Sequence, residues 1–151
     1  MEADDYFAIQ KLVYSYPLFL DRGEIDAMAA LFAYADVYMG DTEPVRSNPA
    51  AIAAAFRNFL QIYQDGRPRT RHMTSNLIIE PHGPNRARAS CYVMVFQQTK
   101  DFPLQPIIGG DYRDRFEKVD GIWRFSERYI GNDLFGDLSA HGKYLFGTPS
   151  V

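Results

Sequence analysis

At 151 residues the chain is long enough for one core that buries roughly two thirds of the unfolded surface, so one domain over residues 1–151 is expected without a covalent staple. A formal net charge of −3 with interspersed signs lacks the clustered basic face that a phosphate backbone demands, and no apolar run reaches the length of a membrane span, so neither nucleic acid nor membrane is an expected partner. The acidic opening Met1-Glu2-Ala3-Asp4-Asp5 is unlike a secretion signal, and the single cysteine, Cys91, cannot close an internal disulfide; a cytoplasmic setting with a buried structural thiol is the expectation.

Aromatic residues make up 15% of the chain, ten tyrosines and eleven phenylalanines against one tryptophan, which predicts a large aromatic core or a pocket lined by rings with polar handles. In chain order, Ile9, Leu12, Val13, Tyr16 and Leu20 recur at helical spacing and predict a first helix from Asp5 to Leu20. Pro17 predicts a change of geometry just before Asp21, and Gly23 ends the helix. A second helix is predicted over Glu24 to Tyr34 and a short strand over Val37 to Gly40, followed by turns from Asp41 to Ser47. Asn48-Pro49 supplies an N-cap and a first-turn proline for a third helix, Ala50 to Tyr63.

Beyond Thr70 the period changes from 3.6 to 2. Strands are predicted over Arg71 to Glu80, Ala87 to Thr99, Ile107 to Val119 and Ile122 to Ile130, the last two joined by an Asp120-Gly121 hairpin. Helices followed by long strands imply an α+β fold in which helices cover one face of a curved antiparallel or mixed sheet around an apolar pocket. Gly109-Gly110 within a strand predicts a bulge that bends the sheet. The tail from Gly131 to Val151 has no clean period; it either packs over the pocket mouth, meets a neighbouring subunit, or is inert.

Asp21 is an acid at the end of an apolar stripe, and a buried carboxylate needs a partner. Strict alternation places His72, Thr74, Asn76 and Ile78 on one face of the first long strand, so His72 leads a semi-polar face. An aspartate bonded to one imidazole nitrogen fixes the tautomer and leaves the other nitrogen as a base. His82 sits in a Pro-Gly turn and His141 in the tail, so the three histidines show no ligand spacing and no metal site is expected. Tyr92, Phe96 and Tyr112 are candidate substrate contacts, although parity alone does not say which face of each strand looks inward. Tyr14, seven residues before Asp21, shares its helical face and is a further candidate.

Three segments together carry a resemblance: Tyr16-Pro-Leu-Phe-Leu-Asp21, Arg71-His72-Met-Thr-Ser-Asn76, and Ile108-Gly-Gly-Asp-Tyr-Arg-Asp-Arg-Phe-Glu-Lys-Val-Asp-Gly-Ile-Trp-Arg-Phe125. In these and in the order of its elements the chain resembles the SnoaL-like branch of the nuclear transport factor 2 superfamily, over nearly its whole length. The resemblance implies a cystatin-like cone of helices on a curved sheet. It extends to the eliminating enzymes of that branch, scytalone dehydratase, hexachlorocyclohexane dehydrochlorinase and bile-acid dehydratase, lyases in which an Asp-oriented histidine takes a proton from carbon without a cofactor. By that resemblance Asp21 and His72 are the catalytic dyad, Tyr16 donates to a departing hydroxyl, and Asn132 stands where the bile-acid enzyme carries a basic substrate-binding residue. A second pocket histidine found in scytalone dehydratase has no counterpart on the strand from Ala87 to Thr99. The implied activity is a dehydratase or other eliminase acting on a hydrophobic cyclic or aromatic compound. An isomerase or polyketide-cyclase-like enzyme on the same dyad, a small-molecule-binding protein and a dioxygenase β-like subunit are the alternatives. A homodimer or homotrimer is the expected assembly.

Overall fold

The computed structural model describes residues 1–143. Ile9, Val13, Tyr16 and Leu20 are buried along one side of α1, Ala3–Arg22, which opens with a capping box between Glu2 and Asp5. The helix runs on through Pro17, and Asp21 belongs to its last turn. Gly23 ends the helix in the left-handed region at φ 75°, and a Cβ there would run into the Gly66 carbonyl. Only glycine permits this approach, which seats the loop 60–69 against the end of α1.

Helix α2, Ile25–Ala30, is shorter than expected because residues 31–34 continue as turns. Helix α3, Pro49–Phe59, begins as read, with the Asn48 side chain accepting the Ala51 amide at 3.0 Å. It stops short of Tyr63 because Leu60 turns extended and bridges to Gly142 of the tail.

Strands β1 (Asp36–Met39), β2 (Val45–Arg46), β3 (Thr70–Pro81), β4 (Arg86–Gln97), β5 (Gln105–Val119) and β6 (Ile122–Phe135) form one sheet in the order β2-β1-β6-β5-β4-β3. The short β2 falls in the segment expected to be turns. Strand β1 runs parallel to β6 and the other pairings are antiparallel, so the sheet is mixed. The hairpin between β5 and β6 turns on Asp120 and Gly121 at φ 51° and 80°, the two left-handed residues of a tight hairpin turn.

Bulges decide which residues face the helices. The β5 to β6 register breaks at Gly109/Gly110, where a Cβ on Gly110 would meet the Gly131 carbonyl. In β3 the break falls between Ser75 and Ile78, with Asn76 at φ 55°. One left-handed residue reverses the parity: Leu77 and Ile79 pack on the core beyond it, while Ile78 is exposed. Strict alternation, which puts Asn76 and Ile78 on the face of His72, therefore fails past Ser75. Along β4 the inward side chains are small or medium, Ala87, Ala89, Cys91, Val93 and Val95, leaving room for the helices. Burial pushes the Cys91 thiol up to about 11, as fits a packed structural cysteine. No helix among the described residues is long and apolar enough to cross a membrane.

Candidate active site

Asp21 meets His72 because the last turn of α1 lies against the first residues of β3, held there by the Gly23 approach. The Asp21 Oδ1 accepts the Thr70 hydroxyl at 2.7 Å and lies 2.6 Å from His72 Nδ1, while Oδ2 accepts the His72 backbone amide at 2.9 Å. Burial works to raise the Asp21 pKa, but the hydrogen bonds and charge of His72, with Thr70, outweigh it and hold the carboxyl below its ordinary value. A carboxylate only accepts, so His72 Nδ1 carries a proton toward Asp21, and in the neutral form of the ring the lone pair is on Nε2.

His72 lines an interior cavity of about 410 Å³ between the helices and the sheet. Tyr16, Leu20, Phe56, Val95, Ile108 and Tyr112 form much of its wall, and Asn58, Asn132 and Phe135 stand at exposed positions around it. Three outer depressions are larger, about 520, 630 and 750 Å³, but they are surface grooves that include neither Asp21 nor His72. No lysine, arginine, aspartate or glutamate lines the interior cavity among the described residues. Nor do they contain a group of three or more His, Cys, Asp or Glu able to hold a metal ion.

Tyr16 and Tyr112 are both 2% exposed and meet edge to face at 5.6 Å. Burial drives both phenols well above their ordinary pKa, so each is a neutral hydrogen-bond donor. Behind them lies Arg128, fully buried, its guanidinium carbon 4.4 Å from the Tyr16 ring centre and 4.6 Å from that of Tyr112. It grips Asp114 through two hydrogen bonds of 2.7 and 2.6 Å. Burial pushes the Asp114 carboxyl upward and Arg128 pulls it down; the forked geometry is that of a charged carboxylate on a charged guanidinium.

The last polar group in the wall comes from the tail. The segment 138–143 is clamped to the end of α3: the Gln61 amide donates to the His141 carbonyl at 2.8 Å, and the Lys143 amide to the Phe59 carbonyl at 2.8 Å. Tyr63 and Gln97 side chains both donate to the Ala140 carbonyl. His141 is consequently 5% exposed, its ring against Phe59 and lining the cavity. Burial, reinforced by His72, pulls its pKa down to about 4, so the imidazole is neutral.

Of the residues expected at the site, His72, Tyr16, Tyr112 and Asn132 line this cavity, and Asp21 is joined to it through His72. Tyr14, Tyr92 and Phe96 do not. Tyr14 is 40% exposed, about 10 Å earlier on the helix than Asp21 and on a flank it shares with the exposed Leu18. Tyr92 and Phe96 alternate with the inward Cys91, Val93 and Val95, and so belong to the outer face of the sheet. Thr70, Asn58, Arg128 and His141 escaped the sequence reading. Asp114 had a visible signal, an acid in phase with Tyr112 and Phe116; Arg128 had none, because the register break near Arg115/Phe116 turns it inward out of phase with Trp123 and Phe125. The Tyr144, Leu145 and Phe146 portion of the tail lies outside the described residues.

The fold and the site can be set beside known proteins. A solved protein of unknown function from Mycobacterium tuberculosis, Rv3472(D26N), is 25% identical, with TM-score 0.68, covering 85% of this chain and 72% of its own. A proposed scytalone dehydratase from Novosphingobium aromaticivorans is 24% identical, with TM-score 0.69 over 88% of this chain and 87% of its own. The β subunit of a proposed aromatic-ring-hydroxylating dioxygenase from the same organism is 20% identical, with TM-score 0.64 over 89% and 93%. An NTF2-like protein with a cystatin-like fold, also from that organism, is 21% identical, with TM-score 0.70 over 91% and 86%. These likenesses establish an NTF2-like, cystatin-like fold. No curated protein matches the sequence. The family model for the SnoaL-like domain matches residues 1–129, and the chain belongs to that family.

Proposed function

We propose that this protein is a lyase that removes a proton from carbon and expels water or another small group from a hydrophobic cyclic compound, without a cofactor. The observation that carries the reading is the His72 to Asp21 hydrogen bond of 2.6 Å at the wall of a largely apolar cavity. With Nδ1 committed to Asp21, Nε2 is the nitrogen left to act as base, and the carboxylate stabilises the imidazolium that forms. For a β-hydroxy ketone the electron count closes without an oxidant or reductant. The base takes the proton between carbonyl and carbinol carbons, the C–H pair becomes the new C=C bond, and the C–O bond breaks. Tyr16 gives its proton to the departing oxygen, water leaves, and the imidazolium proton returns to the phenolate.

The test uses 3-hydroxy-1-tetralone, whose dehydration and tautomerisation give 1-naphthol. Turnover by the wild type, lower by about 100-fold or more in His72→Gln and Asp21→Asn with fold intact, is expected. Turnover that survives in His72→Gln would refute the dyad mechanism. Rearranged product without loss of water would mean an isomerase, and binding without conversion across a panel of hydroxylated and halogenated rings would mean a binding protein.

The same reading includes a homodimer or homotrimer. The outer face of the sheet exposes Met73, Ile78, Tyr92 and Leu134, about 60% each, an apolar surface suited to a second copy. Light scattering should return a mass above the 17.3 kDa of one chain. The lone buried thiol is consistent with a reducing cytoplasm.

A further inference from the structure

Among the described residues, His141 has a buried ring nitrogen with no partner. Its Nδ1 is buried and makes no hydrogen bond among the described residues. A buried polar nitrogen left in that state costs about 1–3 kcal/mol, and native proteins rarely leave one so without a use. The ring is not free to turn outward, because the tail is pinned by backbone bonds on both sides of it and the ring rests on Phe59. It borders the same cavity as His72, and the described residues of that wall are uncharged side chains other than the titratable histidines.

We infer that the C-terminal segment supplies a second recognition group to the cavity, His141, which hydrogen-bonds an oxygen of an uncharged ring compound such as a cyclic ketone or phenol. Charge complementarity narrows the class. With no lysine, arginine, aspartate or glutamate among the described residues of the wall, a carboxylate or ammonium ligand would be stripped of water with little to replace it, whereas a carbonyl or hydroxyl needs one neutral partner. A neutral imidazole fills that role as donor through its N–H or as acceptor through its lone pair. The role differs from that of His72, whose Nδ1 is engaged by Asp21. This inference rests on taking the cavity as the substrate site.

The test compares two probes that differ by one oxygen, 1-tetralone and tetralin, neither of which carries a group to eliminate. Binding is measured by titration calorimetry on the wild type, His141→Phe and His141→Gln, each checked by thermal unfolding. The wild type should prefer 1-tetralone by tenfold or more, His141→Phe should lose that preference while holding tetralin, and His141→Gln should recover part of it. In ¹⁵N-labelled wild type, 1-tetralone but not tetralin should move the His141 ring resonances, which decides the matter even if both variants unfold. An unchanged preference in His141→Phe, still resonances, or failure of the wild type to bind 1-tetralone would each overturn the inference. If 3-hydroxy-1-tetralone is not turned over but the preference depends on His141, the lyase reading falls and the recognition role stands. If it is turned over and the preference ignores His141, only the recognition role falls.

Discussion

Replacing Asp21 by asparagine changes one atom and breaks a hydrogen-bond count. Three donors converge on the carboxylate: the Thr70 hydroxyl and His72 Nδ1–H at Oδ1, and the His72 amide at Oδ2. An amide has one oxygen for these three. Placed at Oδ1, the oxygen keeps two of them and sets its NH₂ against the His72 amide, donor to donor. The orphaned buried amide costs about 1–3 kcal/mol, and losing the charge weakens the two remaining bonds by about 1 kcal/mol each. Relief of the buried charge returns part of this, so the net loss is about 2–4 kcal/mol. In a chain of this size that is a fall in Tm of about 6–12 °C. Differential scanning calorimetry reads the loss, and ¹⁵N spectra of the His72 ring read the tautomer, which should cease to be purely Nδ1–H. A variant within about 2 °C of the wild type that keeps the Nδ1–H tautomer would refute the claim that this carboxylate orients His72.

Arg128→Met should cost about 3–5 kcal/mol by leaving Asp114 buried and unpaired, while adding Asp114→Leu should restore most of the stability; urea titrations of both variants check this. For His141 the folded pKa of about 4 lies below the ordinary 6.5, so the unfolded chain binds more protons between these values. Its contribution, about 3 kcal/mol, is complete above pH 6.5 and lost as pH falls toward 4. The stability of His141→Phe, followed from pH 7 to 4, should therefore fall less steeply than that of the wild type, a difference that removes the common effects of Asp21 and Asp114. Asn48→Ala should cost about 1 kcal/mol through loss of the cap on Ala51, measured by thermal unfolding.

Local chemistry in the sequence determined much of this protein. The helical stripe ending at Asp21, the Asn48-Pro49 start of α3, the Asp120-Gly121 hairpin and the paired glycines of β5 are decided by neighbours a few residues away, and each forms as its own residues direct. The lead position of His72 on β3 is of the same kind, since it precedes the first bulge. Tertiary structure decided what depends on distant backbone. The Asn76 bulge reversed half of β3, the break beside Phe116 turned Arg128 inward against Asp114, and β4 turned Tyr92 and Phe96 to the outer face. The packing of α1 left Tyr14 in solvent and kept Tyr16 inside. His141 shows the division most sharply. Nothing periodic marks it, because its place comes from backbone bonds between a tail and the end of a helix some eighty residues earlier, and such a pairing leaves no local pattern to read.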